Sequence, residues 1–208
     1  MNSFTQLTGT VASVLDDDMN TDQIIPSAYL KDVHANLGEG LFAYLRRKPT
    51  GEKITSFVLE KDEYKHTKIL LVGNNFGCGS SREHAVWALQ EFGIKCLIGK
   101  SFAELFRENC LKNGVLALTL DEERYSVVST FVSKKDVVEL TIDLEKCEIQ
   151  NQDRKLCDFL IHQNERHMLL NGLDDIGLTL GHVDLILKWE KHMIATHSFL
   201  QSPITTGY

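Results

Sequence analysis

One run of this sequence sets glycine, hydroxyl, guanidinium, carboxylate and imidazole groups side by side: Gly73-Asn74-Asn75-Phe76-Gly77-Cys78-Gly79-Ser80-Ser81-Arg82-Glu83-His84. Two neighbouring hydroxyls and a guanidinium at a helix start suit an anionic ligand, because helix-start amides and the helix dipole favour negative charge. A carboxylate fits Arg82 best, since a guanidinium can grip both of its oxygens. Gly77 and Gly79 allow close approach of backbone to a ligand, or they simply make a tight turn. Ser80 and Glu83 have the S-x-x-E spacing of a capping box, which could account for both without any ligand. A cap needs only one hydroxyl, however, so Ser81 and Arg82 are left over. Familiar phosphate loops are excluded. There is no Gly-Lys-Ser/Thr, and Gly77-x-Gly79-x-x-Arg82 lacks the third glycine of the dinucleotide fingerprint.

The elements that must position this run are readable on both sides of it. Ile69 to Val72 is a short apolar strand ended by Gly73. Ala85, Leu89 and Phe92 recur at helical spacing and Gly93 closes that helix. Ile94 to Ile98 is a second strand. Ser101 can cap a helix carrying Phe102, Leu105, Phe106, Cys110 and Leu111, which Gly114 ends, and Val115 to Leu120 is a third strand. Alternation at this density predicts an α/β core with parallel strands, and ligands of such sheets bind beyond the carboxyl ends of the strands. Upstream, Leu7 to Leu15 reads as a strand, the triplet Asp16-Asp17-Asp18 as a solvated turn, and Asn20 to Pro26 as a polar loop. Residues 31–65 are rich in glycine and charge and form a candidate mobile loop, with one helix around Leu41 to Arg46. Downstream, a helix from Asp121 to about Val128 precedes a strand over Val137 to Leu144 and two more near Cys147 and Leu156. Asn164 to Asn171 and Thr179 to about His192 read as helices, and the tail from Ala195 to Tyr208 as frayed or holding a partner.

Composition narrows the function classes. Twenty-two basic against 29 acidic residues leave a net charge of −7, which argues against a general nucleic-acid role and against attachment to anionic lipid. The N-terminus has neither a basic region nor an apolar run, and no segment approaches the ~20 apolar residues of a membrane helix, so a cytoplasmic protein is expected. The five cysteines are odd in number and widely spaced, which predicts neither a disulfide framework nor a metal site made by this chain alone. Cys78 reads as a lining residue, His84 as a helix-packing group, and Trp87 and Trp189 as core or interface aromatics.

The motif NNFGCGSSREHA, together with Asn20-Thr21-Asp22-Gln23-Ile24-Ile25-Pro26 and Tyr29-Leu30-Lys31, resembles the small subunit of 3-isopropylmalate dehydratase, which is similar to the swivel domain of aconitase. The resemblance continues through Ser101-Phe102-Ala103 and Asn113-Gly114, and returns in Leu170 to Leu180. It implies one three-layer swivelling β/β/α domain over residues 1–208, with a mixed sheet, a flexible loop about 31–65 and a C-terminal helical extension about 160–208. It implies a hydro-lyase subunit that isomerises 2-isopropylmalate to 3-isopropylmalate in leucine biosynthesis. In the family the base is the first serine of the motif, here Ser80, with Asp22 orienting the catalytic groups. Ser81, Arg82 and Gly79 would meet the substrate, a small dicarboxylate, and Leu30 and Lys31 its variable part. The Lewis acid is a [4Fe-4S] cluster expected on a large-subunit partner, with no cofactor on this chain. The stretch Asp32 to Glu39 departs from the basic, glycine-ended version of the common bacterial enzyme. That leaves citramalate or dimethylmalate as alternative substrates, and a non-catalytic anion-binding regulatory module as the reading from a different class.

Overall fold

The first strand, β1 (Gln6–Val14), serves two different halves of one sheet. Its first half pairs antiparallel, from Gln6 with Asp143 to Val11 with Val138. Its second half pairs parallel, from Val11 with Ile69 to Val14 with Val72. The computed structural model of the chain describes residues 2–31, 36–152 and 154–197. After β1 come three one-turn helices, α1 (Thr21–Ile24), α2 (Leu37–Gly40) and α3 (Ala43–Arg46). Then follow β2 (Ile69–Val72), α4 (His84–Phe92), β3 (Cys96–Gly99), α5 (Glu104–Lys112), β4 (Leu116–Thr119) and α6 (Glu122–Ser133). The chain continues through β5 (Val138–Asp143), β6 (Glu148–Asn151), β7 (Arg154–Asp158), α7 (Gln163–Asn171), α8 (Asp175–Leu180) and α9 (Val183–Thr196).

The seven strands form one mixed sheet in the order β4-β3-β2-β1-β5-β6-β7. The strands β1 to β4 are parallel, as the alternation of strands and helices requires. The strands β5 to β7 are an antiparallel meander. The two β layers expected from the resemblance are therefore halves of one sheet that share β1. Period-two alternation sends Ala12, Leu70, Val72 and Leu97 to one face, where Ala85, Leu89, Phe106 and Cys110 of α4 and α5 cover them. Val11, Ile69, Leu71, Cys96 and Ile98 face the other way, against Tyr125, Val128 and Val132 of α6 and against Leu140, Ile142 and Ile149. The central parallel strands β2 and β3 are buried along their whole length, which is why they read as unbroken apolar runs.

Several boundaries differ from the sequence reading. The α6 helix runs on to Ser133 because Val128 and Val132 continue the apolar stripe begun by Tyr125. Ser101 does not cap α5, which begins at Glu104 after an uncapped Ala103. The long C-terminal helix is two. Asp174 caps α8 by accepting from Gly177 N at 2.7 Å, and the chain leaves helical geometry at His182 before α9. No described residue of α8 or α9 is buried, and Ile176, Leu185 and Trp189 stand exposed. The tail from 198 onward lies outside the described residues, so the expectation of a frayed or partner-holding end falls there, as do positions 32–35 of the expected loop.

The rest of that loop, 36–65, is not a free excursion. It contains α2, α3 and two short 3-10 turns, Val58–Glu60 and Asp62–Tyr64, and it places Leu37, Leu41, Phe42 and Leu59 in the core. Leu37 N and Gly38 N donate to Glu91 Oε2 on α4 at 2.6 and 3.2 Å. A Cβ on Gly38 would come within 2.9 Å of the α4 backbone, so glycine there permits close docking. Composition hid this packing, because the buried Leu37, Leu41, Phe42 and Leu59 are scattered among glycines and charges and sustain neither a helical nor a strand period along the segment.

Candidate active site

Three loops leave the carboxyl ends of β1, β2 and β3 and keep pairing beyond the sheet. Asp18 N donates to Asn74 O, Gly77 N to Met19 O, Thr21 N to Cys78 O and Phe76 N to Ser101 O, at 2.8 to 3.3 Å. Side chains reinforce the contact. Asn74 N donates to Asp17 Oδ1 at 2.6 Å, and Asn75 Nδ2 donates to Asp18 Oδ1 at 2.8 Å. Two members of the acidic triplet thus tie the motif loop down, where the sequence suggested only a solvated turn. Ser101 Oγ accepts from Asn75 N at 2.8 Å, so its hydroxyl serves this loop rather than a helix start.

The motif glycines act mainly on their own chain. Gly77 has a φ of 81°, and a Cβ there would overlap the Phe106 ring. Its close approach is to the core, not to a ligand. Phe76 lies buried beside it, with Phe106 and Phe102 edge-on at 5.6 and 6.5 Å. Gly79, at φ 103°, supplies the turn that reverses the chain before Ser80.

The capping box does not form where Ser80 and Glu83 suggest. The α4 helix starts at His84 with no side-chain cap, Ser80 Oγ accepts from Arg82 N at 3.3 Å, and Glu83 Oε2 accepts from Asn113 Nδ2 at 3.3 Å. A reciprocal box forms instead at Asn20 and Gln23, each side chain accepting the other's amide at 2.9 Å, and this builds the single turn of α1. The alternative explanation of Ser80 and Glu83 as cap residues is thereby removed.

Within this frame Thr21, Asp22, Ile25, Leu30, Ser80, Arg82, His84 and Ala85 line one shallow surface cleft. Four of the expected site residues, Asp22, Leu30, Ser80 and Arg82, meet there. Gly79, Ser81 and Lys31 do not line it, although each adjoins a residue that does. Asp22 and Arg82 are exposed, and Ser80 and Leu30 half-buried. Among the described residues the Arg82 guanidinium makes no ion pair, whereas Arg46, Arg107 and Arg124 all do. The His84 ring rests on Trp87 at 4.7 Å, and its Nδ1 is buried with no hydrogen-bond partner.

The aconitase C-terminal domain family matches residues 1–123. The 3-isopropylmalate dehydratase small subunit of Rhizobium rhizogenes is 46% identical over 198 residues, covering 95% of this chain and 98% of the relative. That of Paracoccus denitrificans is 43% identical over 194 residues, covering 93% and 96%. This chain belongs to the 3-isopropylmalate dehydratase small-subunit family. The solved structure of a 3-isopropylmalate dehydratase from Methanocaldococcus jannaschii is similar to it as well, with a TM-score of 0.60 and 28% identity over 89% of this chain and 99% of the other.

Among the described residues no three His, Cys, Asp or Glu side chains gather as a metal site. Cys96 and Cys110 are fully buried in apolar surroundings that push both thiols up, which disfavours the thiolate a cluster needs. Cys78 does not line the cleft and instead donates to Asp18 O at 3.2 Å. Among the described residues, Cys78, Cys96 and Cys110 therefore do not fit as ligands of an iron–sulfur cluster.

Sequence reasoning missed Thr21, Asp17, Asp18 and Asn109. Thr21 Oγ1 accepts from Ser80 N at 3.1 Å, and Asn109 Nδ2 donates to Ser81 O at 2.9 Å. Both bonds end on backbone atoms, which leave no trace in residue types. No helix among the described residues is long and apolar enough to cross a membrane.

Proposed function

We propose that this chain is the small-subunit half of a hydro-lyase that converts 2-isopropylmalate to 3-isopropylmalate by dehydration to 2-isopropylmaleate and rehydration, in leucine biosynthesis. The observation that carries the reading is the single cleft that holds Ser80, Arg82 and Asp22 beside the apolar Leu30 and Ile25. An isopropylmalate has carboxylates, a weakly acidic C–H bond and a branched apolar group, and the cleft has a counterpart for each. The unpaired Arg82 grips a carboxylate through two parallel hydrogen bonds. Leu30 and Ile25 take the isopropyl group, with Lys31 close by in sequence. The Ser80 oxygen, as an alkoxide, removes the proton from the carbon next to the carbinol while the carbinol C–O bond breaks, and the departing hydroxyl takes one proton from solvent to leave as water. Water then adds with the opposite regiochemistry: its hydroxyl joins the carbon that lost the proton, its spare proton goes to solvent, and Ser80 gives its proton to the former carbinol carbon. Asp22 orients these groups, and Ser81 and the Gly79 backbone border them. A serine hydroxyl ordinarily ionises far above neutral pH, so the anion depends on local positive potential from Arg82 and clustered amides.

Departure of the hydroxyl needs a Lewis acid, which a [4Fe-4S] cluster of the large-subunit partner would supply. The relatives' name, small subunit, supports such a partner. The test is the reconstituted complex, assayed for interconversion of 2- and 3-isopropylmalate beside citramalate and dimethylmalate. Ser80→Ala is expected to lower kcat by about 10²–10⁴-fold, the range of a lost general base, while the two subunits still associate. Near-normal turnover by Ser80→Ala would remove Ser80 as the base. Preference for citramalate or dimethylmalate would overturn the substrate. Tight dicarboxylate binding by the isolated chain, with no turnover in the complex, would favour a regulatory module.

A further inference from the structure

Ser80 and Ser81 belong to no helix or strand. The preceding strand ends at Val72 and α4 starts only at His84. A reacting oxygen on such a stretch must nevertheless be held closely, because a misplacement of about 1 Å can cost on the order of 100-fold in rate. The structure holds the dipeptide from two sides. On one side the buried Thr21 accepts the Ser80 amide on Oγ1 at 3.1 Å. On the other, the buried Asn109 donates its side-chain amide to the Ser81 carbonyl at 2.9 Å. One bond fixes the N–H that enters the dipeptide and the other the C=O that leaves it. The backbone torsions that aim Ser80 Oγ lie between them.

Each holder is itself anchored independently of these bonds. Thr21 N donates to Cys78 O at 2.9 Å, and the Asn20–Gln23 box shapes its turn. Asn109 sits on α5, one turn beyond Phe106, which packs against Gly77 of the same loop. Asn113, one further turn along, donates to Glu83 and to Asn109 O at 3.3 and 2.8 Å, so α5 grips the loop at two points. The buried side-chain amide at position 109 is offset by its bond to the Ser81 carbonyl, since an apolar side chain would fill the same place without a desolvation cost.

We propose that Thr21 and Asn109 are positioning residues that clamp the Ser80–Ser81 dipeptide and so hold the Ser80 oxygen in register with Arg82 and Asp22. The proposal rests on the reading of Ser80 as the base. It is tested in the reconstituted complex with Thr21→Val, which keeps the shape of threonine but loses the acceptor, and Asn109→Leu, which loses the donor. Both are expected to lower kcat by about 100-fold with KM changed less than about threefold, because the interaction acts on the reacting oxygen and not on ground-state binding. Thr21→Ser, which restores the acceptor oxygen, is expected to recover kcat to within about tenfold of wild type. A kcat near wild type in Thr21→Val, a loss confined to KM, or a Thr21→Ser variant as slow as Thr21→Val would each overturn the clamp. The threonine pair decides the matter even if Asn109→Leu fails to fold. Ser80→Ala, run alongside, separates the two ideas. If it is inactive while Thr21→Val is not, the clamp fails and the base stands. If Ser80→Ala turns over normally, the base itself fails.

Discussion

Leu30 reaches the cleft from the short turn Ser27–Leu30, and that turn rests on a glycine. A Cβ on Gly40 would meet the Tyr29 ring at 2.8 Å, so α2 and this turn can touch only because Gly40 has no side chain. Replacing Leu30 by Lys tests its role in recognition. The variant is expected to shift the ratio of kcat/KM away from 2-isopropylmalate, toward a substrate with an additional carboxylate, by about 1–3 kcal/mol of discrimination. The measurement is a competition between the two substrates on the reconstituted complex, and an unchanged ratio removes Leu30 from recognition. At this scale Ser80 and Arg82 stood out by side-chain type within the motif, and Asp22 and Leu30 through the resemblance; the structure brings all four to one cleft. Thr21 and Asn109 were not. Their partners are the amide and carbonyl of a distant loop, and no residue type reports where a backbone group will point.

At the scale of elements the decisive piece is the segment 36–65, which composition presents as a loop. Its centre is Glu60, whose side chain is only 2% exposed and meets Arg46 at 2.7 Å, Lys53 at 3.1 Å and Arg47 at 3.7 Å. Burial alone raises the Glu60 pKa, but the hydrogen bonds from Lys53 and Arg46 and the charges of Arg46 and Arg47 outweigh it and hold the carboxyl below its usual 4.5. Arg46 also donates to the carbonyls of Gly38 and Leu41 at 3.2 and 3.0 Å, which ties α2 and α3 to the same centre. Glu60→Gln leaves the buried guanidinium without its counter-charge and is expected to cost about 3 kcal/mol at neutral pH. A carboxyl with a depressed folded-state pKa contributes its stability in full above the unfolded value of 4.5 and loses it as the pH falls through the folded value. The gap between wild type and variant, measured by denaturant unfolding, should therefore narrow below pH 4.5. A gap independent of pH would show that charge pairing is not the cause. The segment escaped sequence reading because the ion pairs of Glu60 close over 7, 13 and 14 residues and its apolar anchors sustain no period.

Over the whole molecule, β1 joins the parallel and antiparallel halves, and Val11 sits where the two registers meet. That residue is 1% exposed and packs with Ile69, Leu71, Val138 and Leu140. Val11→Ala removes apolar contact common to both halves, at an expected cost of about 2 kcal/mol. Because the halves share that strand, unfolding should remain a single transition, with coincident midpoints by far-ultraviolet circular dichroism and tryptophan fluorescence. Two separated midpoints would show that the halves are stable independently.

Local pattern alone determined the order of the core elements, the parallel pairing of the strands around the motif, and the chemical character of the cleft. Those follow from apolar periodicity, glycine placement and side-chain type, all of which act over a few neighbouring residues. Tertiary structure alone decided that Gly77 serves the Phe106 ring, that Glu83 meets Asn113 rather than a capping serine, and that Asp17 and Asp18 anchor the motif loop. It likewise decided which side chains hold Ser80. Each of these is a contact between segments far apart in the chain, often through backbone atoms, and such contacts exist only once the sheet has brought three loops to one edge.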